Sequence, residues 1–252
     1  MEPLQMSHEG FKAYDIRGIV PEEINEDLAY RVGRAYASLY HPKSMCIGYD
    51  VRPSSRAIME AAARGLMDGG SDVYNIGLCG TEMMYFGTFY YHMDGGFMIT
   101  ASHNPSNYNG IKIVRQEGIP VSADTGLKDI ETLAFSGDFS APSKKGSLHE
   151  KEILTDYIKT VLSFVDVKKM KPFHIVVNAG NGCANIVFSE LKKHLPFTFT
   201  ELYMEPDGSF PPWRTEPHAG RVQEAPGGCG ALGEGGFGHC LGRGLRPVLL
   251  HR

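Results

Sequence analysis

No pair among the five cysteines has the spacing that zinc or redox chemistry uses. Cys46, Cys79, Cys183, Cys229 and Cys240 stand apart, without a CxxC, so neither a zinc ribbon nor a dithiol motif is supported. The odd count and wide spacing suit a reduced, cytosolic chain. A surplus of positive charge is also missing. Lys and Arg number 25 against 29 Asp and Glu, a net charge of -4, which leaves no footprint for a nucleic-acid partner. Anion binding must come from local groups. No apolar run is long enough to span a bilayer, and we expect no membrane partner. The opening MEPLQMSHEG has no basic stretch followed by an apolar one, so we expect no secretory leader. These absences point to a cytoplasmic globular protein, expected to be a monomer or weak oligomer. The 252 residues allow one large domain or two ordinary ones.

What is present is an alternation of short apolar runs and helical patterns. MCIGYD (45–50) reads as a strand ending in Asp50. SSRAIMEAAARGLMDGG follows with Ile58, Met59, Ala62, Leu66 and Met67 on one helical face and a Gly pair at its end. DVYNIGL (72–78) and GGFMITA (95–101) read as strands, with TEMMYFGTFYYHM (81–93) as a helix between them. Helices between strands predict parallel βαβ units, so the fold class is α/β, a mixed or parallel sheet flanked by helices. Ligands in such sheets bind beyond the carboxyl ends of the strands. Asp50, Arg52 and Ser102 fall at such ends.

SADTGLKDIETLAFSG (122–137) predicts another helix. The polar stretch 139–150 is rich in Ser, Lys, Gly and Pro and reads as a linker. Residues 1–138 therefore form a first α/β domain. A helix over 151–166 and a strand in FHIVVNAGNG (173–182) open a second, incomplete unit spanning 151–212. The GNG turn is read as a tight strand-to-helix turn. From Trp213 to Arg252 the chain contains no Lys, Ile, Asp or Asn and has Gly in runs, which does not suit a foldable α/β segment.

The chemistry concentrates in ITASHNPSNYNGIKI (99–113). A serine at a strand end, in a Gly/Asn loop, holds its hydroxyl in the open, and the backbone N–H groups of such turns cradle anions. His103 can move a proton, and Lys112 can balance phosphate charge. Phosphoryl transfer needs positioning and charge neutralisation above all, so a phosphate-carrying Ser102 suits this loop. The bland reading is that Ser, Asn, Pro and Gly are ordinary loop residues.

TASHNPSNYNGIKIV resembles the phosphoserine loop of the α-D-phosphohexomutase family, the phosphomannomutases and phosphoglucomutases. FKAYDIRGIVPEEI (11–24) is similar to the family's F-x-x-Y-D-I-R-G segment, and GYDVRPSS (48–55) to its G-x-D-x-R-x-S run. The resemblance covers about residues 8 to 211. It implies that Ser102 is phosphorylated and exchanges its phosphoryl group with a hexose phosphate through a bisphosphorylated intermediate. That moves phosphate between the C1 and C6 oxygens of mannose or glucose. It implies that Tyr14 and Arg17 border the site, with Arg17 near the transferring phosphate. Asn104 shapes the loop, and His103 and Lys112 take acid–base and charge-stabilising roles. It also implies Mg²⁺, held by the phosphoserine and three aspartates of a D-G-D-x-D-R loop, oxygen ligands that suit a hard cation. Against these stand simpler readings: Arg17 paired with Asp15, Tyr14 in core packing, and His103 bonded only to the loop backbone. We read Asp50 and Arg52 as an internal ion pair that buttresses the site, and His92 and His174 as packing residues.

The resemblance stops at the tail. The D-G-D-x-D-R loop is absent, and no Asp follows Asp207. Read from the second base of each codon, the text from Trp213 can give G-E-P-N-P-M-L. GHCLGRGLRPVL can likewise give G-I-A-W-D-G-D-F-D-R-C-F, which contains the missing loop. We therefore expect a frame change near Pro211 or Pro212, a chain that lacks the metal aspartates and distal sugar-phosphate site, and negligible mutase turnover. A non-catalytic phosphosugar-binding or interaction remnant is the alternative, and a natural Gly-rich tail is the other reading of 213–252.

Overall fold

The computed structural model describes residues 1–210. The expected out-of-frame tail 213–252, with the two prolines before it, lies outside the described residues.

Eight strands and six α-helices follow one another along the described chain: β1 (Ile16–Ile19), α1 (Glu26–Tyr40), β2 (Ser44–Tyr49), α2 (Ser55–Asp68), β3 (Asp72–Leu78), α3 (Thr81–Tyr90), β4 (Gly95–Ile99), β5 (Tyr108–Arg115), α4 (Leu127–Ser136), β6 (Leu148–Glu150), α5 (Leu154–Ser163), β7 (His174–Asn178), α6 (Ala184–Leu191) and β8 (Thr198–Leu202). The first six strands form one sheet in the order β1-β5-β4-β2-β3-β6. Strands β2, β3, β4 and β6 are mutually parallel, joined by the helical crossovers that the sequence pattern predicts. Strand β5 runs antiparallel to β4 and to β1. The connection from Ile99 to Tyr108 is too short for a helical crossover, so the chain must turn back. That forced reversal creates the Ser102 loop.

Alternate residues of the central strands enter two cores, as the two-residue period of a strand dictates. Met45, Ile47, Phe97, Ile99, Ile111 and Ile113 join Leu28, Val32, Ile58, Leu66, Leu127 and Ile130 of α1, α2 and α4 on one side. Cys46, Met98 and Val114 join Met83 and Met84 of α3, with Ile153 and half-buried Leu154 and Tyr157 from the α5 region, on the other. Every residue of β4 is buried, as a central strand covered on both faces requires.

Helix boundaries differ from the sequence pattern where backbone geometry intervenes. Helix α3 ends at Tyr90 rather than 93 because His92 turns left-handed, at φ 51°. The stretch expected as one helix over 122–137 splits into a short 3-10 turn, Ala123–Thr125, and α4. Gly126 between them has φ 125°, which no helix accommodates. The last three residues of the stretch read as a linker form β6, which pairs with β3 at the sheet edge. His92 and His174 are exposed rather than packed. His174 shares hydrogen bonds with the Thr198 and Thr200 hydroxyls across β7 and β8.

Strands β7 and β8 form a separate parallel pair. The GNG turn after β7 does more than redirect the chain. Asn181 is left-handed at φ 58°, its amide donates to the Tyr203 carbonyl, and its side chain donates to the Glu205 carbonyl at 2.9 Å. The Asp207 amide donates back to Asn181. These bonds hold segment 205–210 against the turn after β2. There Gly208 lies so close that an added Cβ would stand 2.1 Å from the Val51 carbonyl.

Candidate active site

The expected site residues converge beyond the carboxyl ends of β2 and β4. Strand β4 ends at Ile99, and the Thr100 amide makes a last ladder bond to the Gly110 carbonyl. The loop then rises into solvent. Ser102 is exposed and left-handed, with φ 56°, a conformation a non-glycine residue adopts at a cost of about 1–3 kcal/mol and keeps only where its surroundings impose it. Its amide donates to Thr100 Oγ1 at 3.0 Å. Its hydroxyl points outward, 3.3 Å from His103 Nδ1. That pair can pass a proton between oxygen and imidazole. His103 is therefore in contact with the serine hydroxyl itself.

Beside the loop stand two cations around one carboxylate. Arg17, on β1, donates through one Nη to Asp15 Oδ2 at 2.5 Å and through the other to Asn104 Oδ1 at 3.0 Å. Lys112, on β5, donates to the same Asp15 oxygen at 3.1 Å. Strand pairing brings them together: Arg17 faces Gly110 across β1 and β5, and Lys112 lies two residues farther along β5. The simpler reading of Arg17 as a partner of Asp15 is thus part of the geometry, and Asn104 ties that pair to the serine loop. Arg17 Nε is buried without a protein acceptor. With two cations on one carboxylate, the cluster keeps an excess positive charge beside Ser102. Tyr14, expected either in the core or at the site, is 80% exposed and so is not a packing residue.

Behind the loop lies a buried scaffold. Asp50, just past β2, accepts from Thr100 Oγ1 at 2.7 Å, Ser55 Oγ at 2.5 Å, and the Arg52 amide and Nε at 3.0 and 3.2 Å. Asn109 donates to the hydroxyls of Ser54 and Ser55 at the start of α2. The ion pair expected between Asp50 and Arg52 is present, and the Arg52 side chain is wholly buried. Burial pulls the Arg52 guanidinium below its ordinary range, and the Asp50 carboxylate opposes that shift. Thr100 and Asn109 escaped the sequence reading. Their value lies in contacts from other elements, and neither residue type carries a signature of its own.

Among the described residues no group of three or more His, Cys, Asp or Glu side chains could hold a metal ion. Asp15 is engaged by two cations and Asp50 by its own network. The described residues offer Mg²⁺ only what Ser102 would bring, so they do not by themselves fit the expected ion.

Residues 8–141 match the family model described as Phosphoglucomutase/phosphomannomutase, alpha/beta/alpha domain I. The chain is 44% identical over 247 residues to a phosphomannomutase of Escherichia coli, covering 92% of this chain and 54% of that protein. It is 42% identical over 244 residues to a protein of Xanthomonas campestris pv. campestris named phosphohexose mutases, covering 94% and 54%. The chain thus spans about half the length of the curated relatives it matches. Among solved structures, a phosphoglucomutase/phosphomannomutase family protein from Burkholderia thailandensis superposes with a TM-score of 0.77 at 28% identity, over 84% of this chain and 48% of that one. A structure from Thermus thermophilus shares the fold, with a TM-score of 0.71 at 22% identity over 85% and 49%.

Proposed function

The chain belongs to the phosphoglucomutase/phosphomannomutase family, and from that premise we propose that it carries the phosphoserine side of a phosphohexomutase site. The substrates on this reading are mannose or glucose 1- and 6-phosphates. The observation that supports it most is Ser102 itself. An exposed hydroxyl in a constrained backbone touches an imidazole, and its loop is tied through Asn104 to Arg17 of the Arg17–Asp15–Lys112 cluster.

In the proposed step the P–O bond to Ser102 Oγ breaks as a bond forms from phosphorus to a sugar hydroxyl oxygen. Over the step one proton passes from the sugar hydroxyl to the serine oxygen, and His103, in contact with Ser102 Oγ, delivers it at the serine end. Arg17 and Lys112 offset the charge spread over the phosphoryl oxygens, the requirement that dominates such transfers. A complete cycle would require the doubly phosphorylated sugar to turn over and return its other phosphoryl group to Ser102; for this chain, which lacks the metal aspartates and the distal sugar-phosphate site, we expect negligible mutase turnover. Tyr14, exposed two residues from β1, is placed to line the sugar's approach. The aspartates that Mg²⁺ would require are absent from this chain, as no Asp follows Asp207, so the step is assigned here to Arg17, Lys112 and His103 alone. We infer a first domain over 1–138, a link over 139–150 and the opening of a second domain over 151–212, with the end of the link, β6, paired into the first sheet and Ile153 packed against it. We also infer a cytoplasmic setting and a monomer or weak oligomer.

The test is covalent. Incubated with glucose or mannose 1,6-bisphosphate, the purified chain should gain one phosphoryl mass, mapped to Ser102, and Ser102→Ala should gain none. A chain that binds the sugar phosphate by calorimetry yet never gains that mass supports the non-catalytic binding reading instead. The shortage of metal-ligating groups among the described residues is what keeps that second reading alive.

A further inference from the structure

Ser102 is exposed, yet the loop that carries it is held from below by one buried side chain. Arg52 has five N–H donors, and each has an acceptor. Nε donates to Asp50 Oδ2 at 3.2 Å. One Nη donates to the carbonyls of Pro105 at 2.5 Å and Tyr108 at 3.0 Å, and the other to those of Ser102 at 3.0 Å and Asn104 at 2.7 Å. Four of the five bonds therefore go to the backbone of the serine loop, including the peptide carbonyl of Ser102. Asp50, which fixes the guanidinium, also receives the Thr100 hydroxyl, and that hydroxyl oxygen accepts the Ser102 amide. The amide and the carbonyl of Ser102 are thus both set by the Asp50–Arg52 pair. The Phe210 ring covers the guanidinium, its centroid 5.4 Å from Cζ, and Gly208 seals the turn beside it.

We propose that Arg52 is a positioning residue for the phosphoryl transfer, clamping the loop by four carbonyls so that Ser102 is held left-handed with its hydroxyl facing outward. The inference rests on the reading of Ser102 as the phosphoryl carrier. A core ion pair would need only the Asp50 contact. A lysine keeps that contact but has three donors on one atom and cannot reach four carbonyls in a plane. Loop geometry of this kind governs rate because small displacements of a reacting atom are costly.

Two measurements decide it. In the native ¹⁵N-labelled chain, the Nη protons of Arg52 should appear as separate, slowly exchanging signals, while those of Arg56, whose side chain is 75% exposed, average and exchange fast. Averaged Arg52 signals overturn the clamp without any variant, so a variant that fails to fold does not leave the question open. In Arg52→Lys, the amides of Ser102, Asn104 and Tyr108 should exchange at least about tenfold faster, while those of β2 and β4 change by less than about twofold. Loop amides that keep native rates, or core amides that accelerate equally, overturn it. The phosphoryl mass at Ser102 separates the two readings. If the native chain gains it, Arg52→Lys should gain it at least about tenfold more slowly, and an equal rate overturns the positioning role. If the native chain gains none, the proposed function fails, while the exchange data still decide whether Arg52 holds the loop.

Discussion

Asp15 is nearly buried and serves two cations that come from different strands, Arg17 and Lys112. Its carboxylate holds Lys112 beside Arg17, and Arg17 in turn reaches Asn104 of the serine loop. Replacing Asp15 by asparagine preserves shape and removes the charge that the cations share. The pairs are partly exposed, so the loss lies between that of a surface pair and that of a buried one. We expect Asp15→Asn to cost about 1–2 kcal/mol in urea unfolding. An unchanged or raised midpoint would show that the two cations do not need the carboxylate. Sequence reading offered Asp15 as a partner for Arg17, since the two are near neighbours in the chain. It did not place Lys112 there, because residues 15 and 112 meet only through the pairing of β1 with β5.

Helices α1 and α2 depend on close approach. A Cβ on Gly65 would stand 2.1 Å from the Tyr30 carbonyl, and one on Gly33 would stand 2.4 Å from that of Ala62. Both obstacles are backbone atoms, which cannot rotate away as a side chain can. Alanine ordinarily favours a helix over glycine by about 1 kcal/mol, but here overpacking opposes it. Gly65→Ala should therefore lower stability by about 1–3 kcal/mol, read from thermal or urea melts, and a gain would mean that the helices separate freely. The α2 pattern was legible from its apolar spacing and the Gly pair at its end. Helix α1 was not identified, although Asn25 caps it by accepting from the Leu28 amide at 2.9 Å. That bond forms only once the residues around it are already helical.

Across the whole molecule, burial of neutral acids links stability to alkaline pH. Tyr36 is fully buried with its hydroxyl on the Val114 carbonyl, and burial raises its ionisation well above the ordinary value near 10. Burial pushes the Cys46 thiol up to about 12, and the Cys183 thiol to about 12 as well. A group whose folded value is raised contributes fully below its unfolded value, and its contribution is lost as pH climbs from there toward the folded one. The thiols begin this loss near pH 8.5 and Tyr36 near pH 10. Urea midpoints measured from pH 7.5 upward should hold until about pH 8.5 and then fall progressively. A flat profile to pH 10.5 would show that these groups titrate with solvent access. The same burial leaves Cys46 and Cys79 slow to react with thiol reagents in the native state.

Much of the α/β order was determined by the sequence alone, because its signals are local. Strand β3 is bounded as its apolar run predicts, at 72–78, and the Gly pair marks where α2 ends. The serine loop was equally legible, since its residue types carry chemistry within one short stretch. Tertiary structure decided the rest. It reversed β5, for want of chain length to cross over, and thereby set Lys112 and Arg17 on adjacent strands. It also turned Arg52 from one half of an ion pair into a contact with four carbonyls of the serine loop. Backbone carbonyls are the same at every position and leave no mark in a sequence, so only the folded chain can show which of them a buried arginine will hold.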